Sequence, residues 1–128
     1  MFSSLELQRV MVVDDERLIA DSFALILQSR GYQTRVAYDA EEAITIAAEF
    51  DPQAVISDVV MPGMNGLDLA VYLSEHHPQC KMLLISGNAA ASALLDDAAR
   101  QGHYHQILPK PIHPLQLLEF LASCATVA

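Results

Sequence analysis

The sequence predicts an α/β fold in which five strands alternate with five helices along 128 residues. Short apolar runs alternate with segments whose apolar residues recur at helical spacing, and the links between them are short. Regular alternation of this kind implies right-handed crossovers and therefore a parallel sheet covered by helices on both faces. The hydrophobic fraction of 52% is on the high side, which agrees with a sheet that is buried on both faces.

The strands are expected where short apolar runs stand between the helical segments. The first run is apolar throughout, as a central parallel strand should be when both of its faces are buried. The predicted strands are, in chain order, residues 10–13, 34–37, 54–57, 82–85 and 107–108.

The helices are expected from apolar spacing and from residues that favour helix ends. The first ends before Gly31, because glycine suits the position after a helix C-terminus. Asp39 with Glu42 three positions later has the form of a capping box, which predicts a helix to about Phe50. Pro114 stands where a proline favours the first turn of a last helix. The other predicted helices cover residues 66–76 and 90–101.

Charge and composition exclude several classes of protein. The net charge is -9 and the 7 basic residues form no cluster, so neither nucleic acid nor an anionic membrane is expected as a direct partner. The longest charge-free stretch is too short to span a bilayer, and no signal-peptide pattern is visible. Cys80 and Cys124 lack metal-ligand spacing and are expected to be reduced thiols. We therefore expect one cytoplasmic domain over residues 1–128, with an N-terminal extension at 1–8 and a short tail at 126–128.

Three carboxylates are predicted to meet at one edge of the sheet. Asp14 and Asp15 follow the first strand and Asp58 follows the third, and open α/β folds place ligands at the carboxyl ends of their strands. Two such charges about 4 Å apart repel each other by roughly 4 kcal/mol at an effective dielectric constant of ~20. A hard divalent cation relieves that repulsion, and carboxylate-rich oxygen ligation suits Mg²⁺ best. The alternative is that each Asp only forms a turn or caps a helix.

The fourth and fifth strands end in residues of a different kind. Ser86-Gly87 follows the fourth strand, and Lys110-Pro111 follows the fifth. A carboxylate nucleophile, a metal site, a hydroxyl donor and a fixed ammonium are the groups that phosphoryl transfer requires. In the loop after the third strand, Gly66 is expected to adopt a backbone angle that is closed to other residues.

The chain resembles the receiver domain of two-component response regulators over roughly residues 9–124. The resemblance rests on four motifs, each at a predicted strand end: Val12-Val13-Asp14-Asp15-Glu16, Asp58-Val59-Val60-Met61-Pro62-Gly63-Met64-Asn65-Gly66, Ser86-Gly87 and Lys110-Pro111. It implies a doubly wound, flavodoxin-like α/β fold whose five-stranded parallel sheet has the order 2-1-3-4-5. It also implies that Asp58 accepts a phosphoryl group from a phosphohistidine of a sensor histidine kinase or a histidine phosphotransfer protein.

The resemblance further implies how the metal and the phosphoryl group are held. Asp15 and Asp58 would ligate Mg²⁺ directly, together with the backbone carbonyl of Val60. Asp14 would act mostly through water.

For the phosphoryl group itself, the resemblance implies two more residues. Ser86 would donate a hydrogen bond to one phosphoryl oxygen, and Lys110 would pair with another. The Lys110-Pro111 peptide is expected to be cis, as it commonly is in the family.

Two positions depart from the family pattern. Receivers usually carry Tyr or Phe three residues before the lysine of the fifth strand, where this chain has Ile107; Tyr104 is a candidate for a displaced substitute. Val60, two residues after Asp58, removes a polar group that could orient an attacking water. These differences bear on the lifetime of the phosphorylated state and on its output.

In the favoured interpretation the domain catalyses only its own phosphorylation and dephosphorylation and signals by protein–protein contact. One alternative is a receiver that forms part of a larger hybrid kinase or regulator. A second is a Mg²⁺-dependent phosphatase with an Asp nucleophile, although Val60 stands where such an enzyme needs a second acidic residue. A third is a flavodoxin-type FMN carrier, which needs a hydroxyl- and glycine-rich loop where this chain has Asp14-Asp15-Glu16.

Overall fold

The computed structural model describes residues 8–87, Asp96 and residues 106–125. The elements in these ranges are β1 (Arg9–Val13), α1 (Arg17–Ser29), β2 (Gln33–Ala37), α2 (Ala40–Phe50), β3 (Ala54–Asp58), α3 (Gly66–His76), β4 (Lys81–Ser86), β5 (Gln106–Pro109) and α4 (Pro114–Ala125). The helix predicted at 90–101 lies outside the described residues except for Asp96, which is helical. Tyr104 also lies outside them.

The five strands form one parallel sheet in the order β2-β1-β3-β4-β5, so the predicted fold class and strand order are confirmed. β1 and β3 lie inside the sheet and are almost entirely buried, whereas side chains of the edge strand β2 alternate in exposure. Each strand is longer than predicted by one or two residues. Polar residues such as Arg9 and Asp58 continue the backbone pairing beyond the apolar runs.

The sheet separates two hydrophobic layers, because alternate side chains of a strand point to opposite faces. One layer combines β1, β3 and β4 with α1 and α4, through residues that include Val10, Val12, Leu27, Ile56, Leu117 and Leu121. The other combines the sheet with α2 and α3, through residues that include Met11, Val13, Ile46, Val55, Leu69 and Leu73. Burial of each such aliphatic side chain stabilises the fold by about 1.5–3 kcal/mol. Among the described helices, none has the length and apolar character needed to cross a membrane.

The end of α1 has the hydrogen bonds of a Schellman motif. The Tyr32 N–H donates to the Leu27 carbonyl at 3.2 Å, and the Gly31 N–H donates to the Gln28 carbonyl at 3.0 Å. Gly31 has φ +94°, a left-handed angle that glycine adopts without steric cost. The predicted helix stop at Gly31 is therefore confirmed.

The start of α2 is a capping box in a slightly altered form. The Asp39 carboxylate accepts the Glu42 N–H at 2.7 Å, as predicted. The Glu42 carboxylate reaches back to the N–H of Tyr38 at 2.8 Å, one residue before the cap. Both bonds satisfy N–H groups that have no partner within the helix.

Candidate functional site

The carboxyl ends of four strands lie side by side, because the register of the sheet aligns them. Ser57 pairs with Val13, and Ser86 pairs with Pro109. The residues that follow these strand ends therefore meet at one edge, as the sequence predicted for the acidic residues, Ser86 and Lys110.

The three predicted carboxylates come together at this edge. One carboxylate oxygen from each of Asp14, Asp15 and Asp58 lies within 4.8 Å of the others. Asp14 is 2% exposed and Asp58 is 7% exposed, whereas Asp15 faces solvent. Three oxygen donors so close together suit a hard divalent cation, and these residues could hold one. We call this group the acidic cluster.

Asp14 shows the electrostatic cost of the acidic cluster. Burial raises the pKa of Asp14 from 3.8 to about 6, because desolvation disfavours the charged carboxylate. The hydrogen bond from the Glu16 N–H and the charge of Lys110 act in the opposite direction, and the charges of Asp58 and Asp15 raise the pKa further. The Glu16 N–H lies 2.9 Å from Asp14 Oδ1.

The ammonium group of Lys110 lies against the acidic cluster. Its Nζ donates to Asp58 Oδ2 at 3.2 Å, and it lies 3.8 Å from Asp14 Oδ2 and 4.0 Å from Glu16 Oε1. Burial alone lowers the pKa of Lys110, but these three carboxylates outweigh burial and raise the pKa above its usual value of 10.5. The side chain is therefore a fixed positive charge at neutral pH.

The backbone around Lys110 fixes where its side chain enters the site. The Lys110-Pro111 peptide is cis, as expected. The Lys110 N–H donates to the carbonyl of Ser86 at 2.9 Å, which joins the ends of β4 and β5. A Cβ at Gly87 would lie 2.9 Å from Lys110 Cδ, so a larger residue there would have to shift the lysine stem.

The loop between β3 and α3 carries Val60 and is held by backbone hydrogen bonds. The Gly66 N–H donates to the Val59 carbonyl at 2.8 Å. The expectation that Gly66 adopts a special backbone angle is wrong: the left-handed angle belongs to Gly63, with φ +76°. Gly66 is required for space instead, because a Cβ there would overlap the carbonyl oxygen of Asp58.

Three contacts near the site were not predicted from the sequence. The Asn65 side chain caps α3 by accepting the Asp68 N–H at 2.9 Å, a role that the polar residue directly before the helix could have indicated. The Tyr38 hydroxyl donates to Asp21 at 2.6 Å and so ties α1 to the end of β2. The third is the approach of Glu16 to Lys110, for which adjacency to the Asp14-Asp15 pair was the one available signal.

Ile107 lies in β5, where it pairs with Leu84 of β4. Its side chain is 37% exposed. The position that usually carries an aromatic ring in the resembled family is thus occupied by a partly exposed, β-branched aliphatic side chain.

Comparison with known proteins decides the family. The model of the response regulator receiver domain matches residues 10–122. The chain belongs to this family. It is therefore a receiver domain of two-component signalling. Family membership sets aside the phosphatase and FMN-carrier interpretations.

Solved structures of receivers have the same architecture. A CheY-like response regulator receiver domain protein from Methanospirillum hungatei JF-1 superposes with a TM-score of 0.80 at 25% identity, over 94% of each chain. The receiver domain of NtrX from Brucella abortus superposes with a TM-score of 0.78 at 30% identity, over 93% of this chain and 99% of that one.

Curated relatives are longer than this chain. A response regulator receiver protein from Anaeromyxobacter sp. (strain Fw109-5) is 32% identical over 113 residues, which cover 88% of this chain and 47% of that protein. The DNA-binding response regulator MtrA from Mycolicibacterium paratuberculosis is 39% identical over 62 residues, 48% of this chain and 28% of that protein. This chain thus spans less than half the length of these relatives, and the words "DNA-binding" describe the whole of MtrA.

Proposed function

We propose that this domain accepts a phosphoryl group on Asp58 from a phosphohistidine of a sensor histidine kinase or a histidine phosphotransfer protein. The observation that carries the proposal is the setting of Asp58. Its carboxylate is nearly buried, lies beside two further carboxylates, and is 3.2 Å from the Lys110 ammonium. A carboxylate nucleophile with compensating positive charge at hand is what phosphoryl transfer needs.

Mg²⁺ is the metal that we propose for the acidic cluster. Asp15 and Asp58 would hold it directly with the backbone carbonyl of Val60, and Asp14 would hold it through water. The proposal is supported by the hard oxygen donors of the acidic cluster, since three carboxylates so close together favour a cation at this point. Once bound, Mg²⁺ would neutralise charge on the phosphoryl oxygens.

The side chains of the chain itself would carry out the transfer. A carboxylate oxygen of Asp58 attacks phosphorus in line, the bond from phosphorus to the donor imidazole nitrogen breaks, and the imidazole leaves with the bonding electron pair. The Lys110 ammonium gives up its bond to the Asp58 carboxylate and pairs with a phosphoryl oxygen. Ser86, at the end of β4, donates a hydrogen bond from its hydroxyl to another phosphoryl oxygen.

The phosphorylated domain would signal by protein–protein contact and would catalyse only its own phosphorylation and dephosphorylation. A net charge of -9 argues against direct contact between this domain and nucleic acid, although one group of relatives is named DNA-binding. The chemistry at Asp58 is the same whether residues 1–128 stand alone or belong to a longer hybrid kinase or regulator.

The experiment is mass spectrometry of the intact protein after incubation with phosphoramidate and Mg²⁺. Wild type should gain one phosphoryl group, and Asp58→Asn should gain none, because an amide cannot act as the nucleophile. Asp68→Asn is the matched control, since Asp68 is an exposed aspartate in the first turn of α3. An adduct on Asp58→Asn as abundant as that on wild type would remove Asp58 from this role.

A further inference from the structure

Lys110 has a third carboxylate partner that lies outside the acidic cluster. Glu16 Oε1 is 4.0 Å from Lys110 Nζ, and the Glu16 side chain is 62% exposed. Glu16 stands at the N-cap of α1, yet its side chain forms no cap hydrogen bond to the helix. Shorter polar residues such as Asp or Ser usually cap a helix from this position. The carboxylate is therefore available to the lysine.

The backbone of Glu16 is fixed on both sides while its side chain is not. The Glu16 N–H donates to Asp14 Oδ1 at 2.9 Å, and the Glu16 carbonyl accepts the Ala20 N–H at 3.0 Å. The helix that follows is tied to β2 by the Tyr38–Asp21 hydrogen bond. The carboxylate of Glu16 can thus turn about its own side-chain bonds while its anchor point stays beside the site.

A divalent cation and the Lys110 ammonium would compete for the same carboxylate. Lys110 donates to Asp58 Oδ2, and Asp58 belongs to the acidic cluster. Positive charges about 4 Å apart repel each other by several kcal/mol even at an effective dielectric constant of ~20. The lysine stem passes close to Gly87, and its ammonium end can swing away from Asp58.

We propose that Glu16 is a positioning residue that receives the Lys110 ammonium when a divalent cation occupies the acidic cluster. The inference rests on the proposed function, in which Lys110 must stay near Asp58 to meet the incoming phosphoryl group. Glu16 keeps the ammonium at the mouth of the site and lowers its repulsion with the cation. Without Glu16, cation binding has to displace Lys110 with no carboxylate outside the acidic cluster to receive it.

A simpler role for Glu16 is a general one, in which its negative charge attracts cations to the site. The two roles differ in their dependence on Lys110. A general field acts on Mg²⁺ whether or not the lysine is present, whereas a receiving carboxylate acts only through the lysine. A double-mutant cycle separates them.

The test is isothermal titration of Mg²⁺ into wild type, Glu16→Gln, Lys110→Met and the double variant, at about 150 mM salt to screen exposed charges. Glu16→Gln should weaken Mg²⁺ binding about threefold in the wild-type background, the size expected for a partly exposed ion pair. In the Lys110→Met background, Glu16→Gln should weaken Mg²⁺ binding by a factor that is at least twofold smaller. Lys110→Gln replaces Lys110→Met if circular dichroism shows that the methionine variant does not fold.

The matched control is Glu41→Gln, which removes one exposed negative charge from the first turn of α2. It should change the Mg²⁺ affinity by less than about 1.5-fold, because exposed charges away from the site are screened by salt. If Glu41→Gln weakens Mg²⁺ binding as much as Glu16→Gln does, the proposal is overturned, because a negative charge far from Lys110 would then have the same effect.

The remaining outcomes separate this inference from the proposed function. An effect of Glu16→Gln that does not shrink at least twofold without Lys110 overturns the role of Glu16 and leaves the metal site standing. Absence of Mg²⁺ binding by wild type overturns the metal site and this inference with it. The titration does not involve phosphorylation of Asp58. A failure of Asp58 to become phosphorylated would therefore count against the proposed function alone.

Discussion

Asp14 is the residue at which the electrostatics of the site are clearest. Burial first, and then the neighbouring charges of Asp58 and Asp15, raise its pKa to about 6. Its N–H is held by the Ala37 carbonyl at 3.1 Å, so the backbone keeps the side chain in place. A buried carboxylate that is held in this way lowers the stability of the metal-free protein at neutral pH.

Replacing Asp14 by Asn should therefore stabilise the metal-free protein. In the folded state Asp14 binds its proton up to a pH of about 6, whereas unfolded Asp loses it near 3.8, so stability falls as the pH rises through that window. We expect Asp14→Asn to raise the free energy of unfolding by about 1–2 kcal/mol at pH 7.5 and to have little effect at pH 4. Urea unfolding in EDTA measures both, and a variant less stable than wild type at pH 7.5 would contradict this account.

Asp14 and Asp15 should differ in their effect on Mg²⁺. Asp15 is the exposed member of the acidic cluster and the proposed direct ligand, so Asp15→Asn should reduce the Mg²⁺-dependent rise in melting temperature more than Asp14→Asn does. The comparison is made with each protein in EDTA and at a series of Mg²⁺ concentrations. An undiminished Mg²⁺ shift in Asp15→Asn would rule out this ligand.

At the scale of residues, the positions directly after the predicted strands identified part of the candidate site. Asp14, Asp58 and Lys110 each follow a strand that the apolar pattern reveals, and parallel strands end at one edge. The contact of Glu16 with Lys110 was not predicted, because it depends on how far a lysine that follows β5 reaches across the site. Side-chain reach between distant segments is not a property of either segment alone.

The β3–α3 loop packs closely on Asp58 of the acidic cluster. A Cβ on Gly66 would overlap the Asp58 carbonyl oxygen. Gly63 instead has the left-handed backbone angle, and the position that its Cβ would take is open. The two glycines are thus required for different reasons, one for space and one for backbone conformation.

Alanine at the two glycines should give different losses of stability. Gly63→Ala pays only for the left-handed angle, about 1–2 kcal/mol. Gly66→Ala must also displace the end of β3, so we expect a larger loss, about 3 kcal/mol, together with weaker Mg²⁺ binding. Urea unfolding and Mg²⁺ titration of both variants test this, and equal losses would show that the predicted overlap with Asp58 relaxes without cost.

At the scale of elements, local sequence patterns predicted which helices and strands exist better than they predicted the contacts and exact ends of those elements. Gly31 and Pro114 marked helix ends because their backbone preferences are intrinsic. The return bond of Glu42 to Tyr38, and the reason for Gly66, depend on three-dimensional neighbours that the local sequence does not contain. The predicted strands were too short for the same reason, since backbone pairing continues through Arg9 and Asp58.

At the scale of the whole molecule, the alternating pattern predicted a parallel sheet with two buried faces, and the structure has both. The strand order needed the resemblance to receivers, because right-handed crossovers alone allow several doubly wound orders. The composition could not say which helix packs on which face.

Phosphorylation should reorganise one side of the molecule more than the other. Ile107 lacks a ring that could turn inward, and its β-branched side chain is stiff at χ1, so the side chain at this position of β5 should respond little to a change at Asp58. Beryllofluoride, a phosphoryl mimic, should therefore shift amide NMR signals strongly at residues 59–65 and near Ser86, and only weakly in β5. Shifts at Ile107 and α4 as large as those near Ser86 would contradict this expectation.

The role proposed for Asp58, as the phosphoacceptor of a Mg²⁺-dependent site, can be tested on the modified residue itself. The most direct measurement is peptide mass spectrometry after treatment with phosphoramidate and then with hydroxylamine, which converts an aspartyl phosphate into a hydroxamate at the modified residue. We expect one hydroxamate, at Asp58, that forms with Mg²⁺ and not in EDTA. A hydroxamate at Asp14 or Asp15 instead, or the same yield at Asp58 in EDTA, would contradict it.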